Sequence, residues 1–308
     1  MRKIIFLRVL FLIVLSFLLV NYANFSFSMD RSQSRSIRLK LVKMNDQNFR
    51  LGSKFISQGF KEYDIEAKGC KGDWGFPGLN IDVEHCRPII RFVGGNLWNG
   101  LSIGHMFIHS KAQKHCSFLV GEPQDCLLSY IFNYKREHKC SFVTVRTFCE
   151  AQKNFFESIG FDLEFIRKGY EQDKVCYYLR CDHDTHNGSG QLFVGELQNE
   201  SNQKEAFKIG YILKDGSLMV GVIEARVCLG CVHILNIFIK KEYRRKGFGK
   251  QLIEKVLEEG KRYKCSFAIL ETFNYMAPGF YKKLGFEVDF IRKGYAFDIE
   301  QSFMSKKL

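Results

Sequence analysis

KCSFVTVRTFCEAQKNFFESIGFDLEFIRKGY at Lys139–Tyr170 and KCSFAILETFNYMAPGFYKKLGFEVDFIRKGY at Lys264–Tyr295 align without a gap at an offset of 125, and 15 of the 32 positions are identical. Composition alone scatters matches through a chain rich in Phe and Lys. It does not produce collinear ends such as KCSF and FIRKGY, so the pair reads as an internal repeat. Each copy also reads as strand, helix, strand. In the second copy Cys265–Thr272 alternates apolar and β-branched residues, and Pro278–Leu284 suits a short helix with Pro in its first turn. Gly285 stops that helix, and Phe286–Ile291 returns as a strand.

Upstream of the second copy, Phe207–Leu213 and Leu218–Val227 read as strands joined by a turn at Lys214, Asp215 and Gly216, and Val232–Ile239 as another strand. Lys250–Lys261 places Leu252, Ile253, Val256 and Leu257 at helical spacing with charge between them. Upstream of the first copy, Ile89–Phe92 and Leu101–Ile108 read as strands and Asp125–His138 as a helix. The turn-rich stretch Asp182–Gly190 marks the junction. The expected architecture is α/β (α+β): two tandem domains, at 37–184 and 190–308, each a mixed, mostly antiparallel twisted sheet flanked by helices and entering a parallel βαβ unit.

The 308 residues suit two domains of ordinary size. With 46% apolar residues, 26% charged residues and 4 prolines, a disordered or proline-rich chain is excluded. The net charge of +13 suits nucleic acid, an anionic membrane or a phosphorylated ligand without choosing among them. The 30 phenylalanines lack the stacking motif of an RNA reader. Residues 1–28 contain Arg2, Lys3 and Arg8, no acid, and an apolar run to Val20. They read as a secretory signal, a membrane anchor or an extension upstream of a start at Met29, and they place the chain outside the cytoplasm, at a membrane or inside accordingly. The 11 cysteines are not spaced as a disulfide scaffold; Cys228 and Cys231 form a lone CxxC without the second pair that a structural zinc needs, so no metal is expected.

KKEYRRKGFGK lies between the strand ending at Ile239 and the helix of Lys250–Lys261. A strand leading through glycines into a helix presents free backbone N–H groups and the positive helix end, which favours a phosphate. Gly247 and Gly249 allow close approach, and Arg244, Arg245, Lys246 and Lys250 add charge around Phe248. On its own the segment reads equally as a solvated basic turn. It is neither a Walker loop nor a Rossmann fingerprint.

In context the segment resembles the acetyl-CoA motif of the GNAT family of N-acetyltransferases, with Arg244, Gly247 and Gly249 at its three defining positions. Glu271–Glu287, ETFNYMAPGFYKKLGFE, is similar to that family's second signature, and the resemblance covers about residues 190–308. It implies acetyl transfer from acetyl-CoA to a primary amine on a protein or small molecule. Pantetheine would lie along Ile237, Phe238 and Ile239, the pyrophosphate at the glycine turn, and Asn274 would help hold the cofactor. Tyr281 matches the family's general acid. Glu224, Asn236 and His233 lie on strands suited to a general base, Glu224 being the candidate and His233 reading rather as a core histidine. In the first copy these positions hold Cys149, Lys153 and Phe156 in place of Asn274, Pro278 and Tyr281, and no Gly-x-Gly turn lies in His109–Cys126. That copy is expected to be degenerate, and the two to form an intrachain pseudo-dimer. The competing expectation is a secreted or tethered protein that binds CoA or a polyanion without catalysis; direct nucleic-acid binding rests on charge alone.

Overall fold

The parallel strands Cys231–Ile239 and Phe267–Phe273, joined through the amphipathic helix Phe248–Arg262, organise the C-terminal half. The computed structural model describes residues 39–68, 78–81, 90–108, 123–184, 195–196 and 206–308. Its strands are β1 (Lys40–Lys43), β2 (Gly78–Ile81), β3 (Ile90–Leu97), β4 (Gly100–Ile108), β5 (Phe142–Thr147), β6 (Asp162–Arg167), β7 (Cys176–Cys181) and β8 (Gly195–Glu196). They continue with β9 (Phe207–Asp215), β10 (Leu218–Cys228), β11 (Cys231–Ile239), β12 (Phe267–Phe273), β13 (Glu287–Arg292) and β14 (Gln301–Lys307). The helices are α1 (Asp46–Lys68), α2 (Pro123–Glu137), α3 (Glu150–Ser158), α4 (Phe248–Arg262) and α5 (Pro278–Lys283). Residues 1–28, and with them the signal, anchor or extension reading, lie outside the described residues, as do 185–190 of the junction and 109–122 of the first copy's turn. Among the described residues no helix is long and apolar enough to cross a membrane.

One sheet runs β1-β9-β10-β11-β12-β14-β13 and the other β2-β3-β4-β5-β7-β6, with β8 beside β4. Among the described residues each sheet has one parallel pair, β11 with β12 and β4 with β5, and is otherwise antiparallel. The mixed, antiparallel-rich α/β class agrees with the sequence reading, and the strands and helices read from periodicity occur within a few residues of their expected ends. Leu252, Ile253 and Val256 of α4 are buried against Ile223, Ala225 and Val232 of the C-terminal sheet. Leu128, Ile131 and Phe132 of α2 are buried with Leu101, Val143 and Leu179 of the other. At about 1.5–3 kcal/mol for each large apolar side chain removed from water, these stripes are what hold the helices on the sheets.

A division at residue 190 does not describe the sheets. β1 pairs antiparallel with β9, from Lys40 opposite Lys214 to Lys43 opposite Tyr211. α1 then lays Phe55, Ile56 and Phe60 on Ile212, Val222 and Phe238. Residues 40–68, counted with the first half by sequence, therefore cover the C-terminal sheet. The reason is physical: this face of β9–β11 is apolar and needs a cover. Gly59 allows α1 to close on it, since a Cβ there would overlap the Phe238 ring.

The two sheets meet through a shared cluster that includes Tyr170, Tyr178, Phe267, Ile269 and Phe303. Contacts here join positions 125 residues apart. Phe165 stacks on Phe290 at 5.5 Å and 5°, Tyr178 meets Phe303 edge-on at 5.4 Å, and Arg146 pairs with Glu271 at 2.9 Å. Arg167 binds Asp289 at 2.8 Å, while Arg292 binds Glu164 through Nε at 2.8 Å and Nη2 at 2.6 Å. Backbone bonds reciprocate as well: Glu171 N–H to the Leu229 carbonyl at 2.9 Å, and Ala296 N–H to the Trp98 carbonyl at 3.0 Å.

Candidate active site

The β11–β12 ladder extends only from Cys231 opposite Phe267 to Ile234 opposite Leu270. On β11's other side Glu224 faces Asn236 while Ala225 faces Ile234, so Leu235 is an extra residue, a bulge that turns the strand. Beyond it Asn236–Ile239 pair only with β10, and Glu271–Phe273 only with β14. The strands part into a gap, and among the described residues no strand pairs with the β11 edge facing that gap. Ile237, Phe238 and Ile239, the expected pantetheine contacts, form this edge.

β11 leads through Lys241–Tyr243 to α4, whose N-cap is Gly247 with φ 83° and no side-chain cap. The first bond of the helix runs from Gln251 N–H to the Gly247 carbonyl, and the first turn holds no acid. The N–H groups of Phe248, Gly249 and Lys250 therefore point out of the helix start, as an anion requires. Arg245 (φ 60°) and Gly247 are both left-handed, which makes the turn tight, and Arg245, Lys246 and Lys250 are exposed around it. Arg244 is engaged differently: its Nε donates to the Ile239 carbonyl at 2.8 Å and its guanidinium lies over the Phe238 ring, bracing the strand end. A Cβ at Gly249 would lie 3.2 Å from Phe280, so glycine there lets α5 pack against the start of α4.

Next to Phe280, Tyr281 is buried in the core shared with α4, where burial pushes its phenol well above the usual tyrosine range. Its hydroxyl is held in the protonated form. Asn274, at the end of β12, donates from its backbone N–H to the Glu300 carbonyl at 2.9 Å and from Nδ2 to the Asp298 carbonyl at 3.1 Å. It thus ties the β12–α5 turn to the β13–β14 loop.

Glu224 is buried at the bulge. Ser53 Oγ on α1 donates to its Oε1 at 2.5 Å, and Asn236 Nδ2 to its Oε2 at 3.2 Å. Two of the three candidates for a base are thus in contact. The third, His233, is buried in the still-paired part of β11 opposite Ile269, below the gap. Ser53 was missed by sequence reasoning because it was counted with the other half. The alternation of residues 38–44, followed by Phe49, Ile56 and Phe60 at helical spacing, was the signal for a strand and helix in search of a sheet. Cys228 and Cys231 are buried and face each other at the β10–β11 turn.

The other sheet has the same bulge and gap in its ladder. Gly104 is the extra residue between Val93–His105 and Gly94–Ile103, and β4 pairs with β5 only over Gly100–Ser102. There β8 pairs with Phe107 and Ile108. β3 occupies one edge of β4 along its whole length, so β8 lies on the edge that faces the gap. Phe156 is fully buried at the position 125 residues before Tyr281.

The Acetyltransferase (GNAT) family matches residues 166–286, a stretch that contains the bulge, the gap, the glycine turn, Asn274 and Tyr281. The chain thus carries a GNAT acetyltransferase domain. No curated protein sequence matches it. Among solved structures it is similar to an acetyltransferase from Bacillus cereus, at 21% identity over 36% of this chain and 79% of that one, with a TM-score of 0.33. It is also similar to the ribosomal-protein-S18-alanine N-acetyltransferase from Escherichia coli, at 26% identity, 35% and 72% coverage and a TM-score of 0.31. A third is the PaiA N-acetyltransferase from Thermoplasma acidophilum in complex with coenzyme A, at 23% identity, 33% and 61% coverage and a TM-score of 0.28.

Proposed function

We propose that the chain is an N-acetyltransferase that moves an acetyl group from acetyl-CoA to a primary amine in the gap between β11 and β12. The observation that carries this reading is a strand edge that opens at a bulge and leads to an uncapped helix start, with the buried Glu224 carboxylate on Asn236 at the bulge and the buried Tyr281 packed in one core with Ile237 and Ile239. Acetyl-CoA supplies an activated thioester. The β11 edge at Ile237–Ile239 binds the pantetheine amides, as a further strand would be bound. The amides of Phe248–Lys250, with Arg245, Lys246 and Lys250, hold the pyrophosphate. Glu224, oriented by Ser53 and Asn236, takes the proton that the ammonium must lose before it attacks, and Tyr281 gives a proton to the leaving thiolate. Burial of Tyr281 keeps that proton in place at neutral pH.

The first sheet we take to be a degenerate copy, joined to the second as an intrachain pseudo-dimer. The reciprocal contacts 125 residues apart support this, as do Phe156 in place of a tyrosine and β8 in the gap. The basic charge serves the cofactor first, so nucleic acid is not needed to explain it. Determining the mature N-terminus by mass spectrometry in membrane and soluble fractions decides between signal, anchor and upstream extension for residues 1–28.

The test is thermal shift of the full-length chain with acetyl-CoA, followed by thiol release with a panel of amines. Ligand at 100 times its dissociation constant stabilises by about 2.7 kcal/mol. No shift at millimolar acetyl-CoA rejects the proposal; a shift without thiol release for any amine favours a binding protein instead.

A further inference from the structure

One pair of positions across the contact between the sheets is unequal. Arg180 on β7 lays its guanidinium 4.0 Å from the centre of the Phe142 ring, donates to the Lys293 carbonyl at 2.6 Å and pairs with Asp182 at 2.7 Å and Glu164 at 3.7 Å. It fills the space beside Gly294, where an added Cβ would come within 2.8 Å of its Nη2. The position 125 residues on is Ser305, whose short side chain donates to Asp289 at 2.7 Å. On that side there is a cavity of about 690 Å³, lined among others by Arg167, Lys168, Phe267, Asp289, Ser305 and Lys307. A Cβ on Gly169, the counterpart of Gly294, would meet only Phe267, at 3.8 Å.

Charge differs between the two sides as much as volume. On the filled side Arg180, Arg292 and Lys293 are matched by Asp182, Glu164 and, for Lys293, Glu300 at 3.3 Å. On the open side Arg167, Lys168 and Lys307 line the cavity with one carboxylate, Asp289, because Lys307 stands where the filled side has Asp182. Arg167 is 5% exposed. Its Nη2 binds Asp289, whereas its Nε and Nη1 are buried with no hydrogen-bond partner among the described residues. Arg292, its counterpart, places Nε and Nη2 on Glu164 and Nη1 on Gln301. A buried guanidinium left so incompletely bonded is costly, and an acidic group nearby would offset that cost.

We propose that this cavity binds a small organic anion, an acid on a flat apolar body. Its acid meets Lys168 and Lys307 with Arg167 behind them, and its body rests on Phe267 as the Arg180 guanidinium rests on Phe142. The site is separate from the acetyl-transfer gap and does not depend on that function.

Isothermal titration of the full-length chain with benzoate and phenyl phosphate, against benzamide and benzamidine as neutral and cationic controls, tests it. At least one of the two anions should bind saturably at one per chain, at least tenfold tighter than either control, and the tighter one shows whether a carboxylate or a phosphate is preferred. Saturating acetyl-CoA should leave that binding unchanged. Ser305→Arg, which copies Arg180 into the cavity, and Lys307→Asp, which restores the missing carboxylate, should each weaken it at least tenfold with an unaltered circular dichroism spectrum. Binding by neither anion, equal binding of benzamidine, displacement by acetyl-CoA, or wild-type affinity in both variants overturns the proposal.

Discussion

The Ser53 hydroxyl on α1 donates a 2.5 Å hydrogen bond to the Glu224 carboxylate on β10, across 171 residues of sequence. A hydrogen bond to a charged group is worth about 1.5–3 kcal/mol, so losing this one costs orientation rather than the whole base. Ser53→Ala is expected to lower turnover about tenfold and Glu224→Gln about a hundredfold, the scale of general-base catalysis. In both, the thermal shift with acetyl-CoA stays at the wild-type value. A variant that loses both together indicates a folding defect.

The glycine turn before α4 makes a separate prediction, because in the proposed binding mode its charges face the pyrophosphate and not the thioester. Arg245→Glu combined with Lys246→Glu should raise KM for acetyl-CoA about tenfold or more, the scale of one charge-assisted bond. KM for acetyl-pantetheine, which has no pyrophosphate, should not move. Gly247→Ala meets no atom within 4 Å, so its expected cost of about 1 kcal/mol comes from the left-handed backbone alone and is read as a lowered urea midpoint.

Tyr281→Phe keeps the ring in the core and removes the proton. Turnover should fall by about a hundredfold with acetyl-CoA binding unchanged. Since burial holds the wild-type phenol above its ordinary value near 10, turnover by the native chain should show no loss from Tyr281 ionisation below about pH 10.

Stability at high pH follows from Tyr295, which burial pushes up to about 12. A tyrosine of the unfolded chain ionises near 10, so its contribution is complete below pH 10 and is lost as pH rises toward 12. The fall in melting temperature between pH 10 and 12 should be shallower in Tyr295→Phe, even though that variant loses the hydrogen bond to Gln301.

Arg292 and Glu164 test the contact between the sheets. Both are largely buried, and Arg292→Met leaves the carboxylate only the longer contact with Arg180 at 3.7 Å, so a loss of about 3 kcal/mol, the low end for a broken buried pair, is expected in urea unfolding. The double variant Arg292→Met with Glu164→Leu should recover much of that loss, because no charge is left uncompensated.

The elements that carry the candidate C-terminal site were legible because they are local in sequence: the glycine turn, Asn274 and Tyr281 lie in two short stretches whose periodicity also names their elements. The bulge at Leu235 was not legible, since a bulge is a property of register between two strands and neither strand alone encodes it. Nor was Arg244's inward turn onto Ile239, because side-chain direction at a strand end is set by neighbours such as Phe238. The partner of β1 was missed for the same reason: nothing in the tetrapeptide Lys40–Lys43 says that its ladder begins at Lys214.

That last pairing also sets a timetable for making the protein. At about 5–20 residues per second, β9 follows β1 out of the ribosome by roughly 10 to 30 s, and the whole first sheet is synthesised in between. β1 and α1 leave the ribosome before the sheet they cover exists. The first sheet, fastened to the second by its own ion pairs, closes a loop whose two ends must then find each other. Loop closure of this length slows folding far more than it weakens the folded state. A fragment that starts at residue 190 would therefore expose an unpaired β9 edge and a bare apolar face. Residues 40–308 are best regarded as one interlaced unit that can be completed only after its last strands are made.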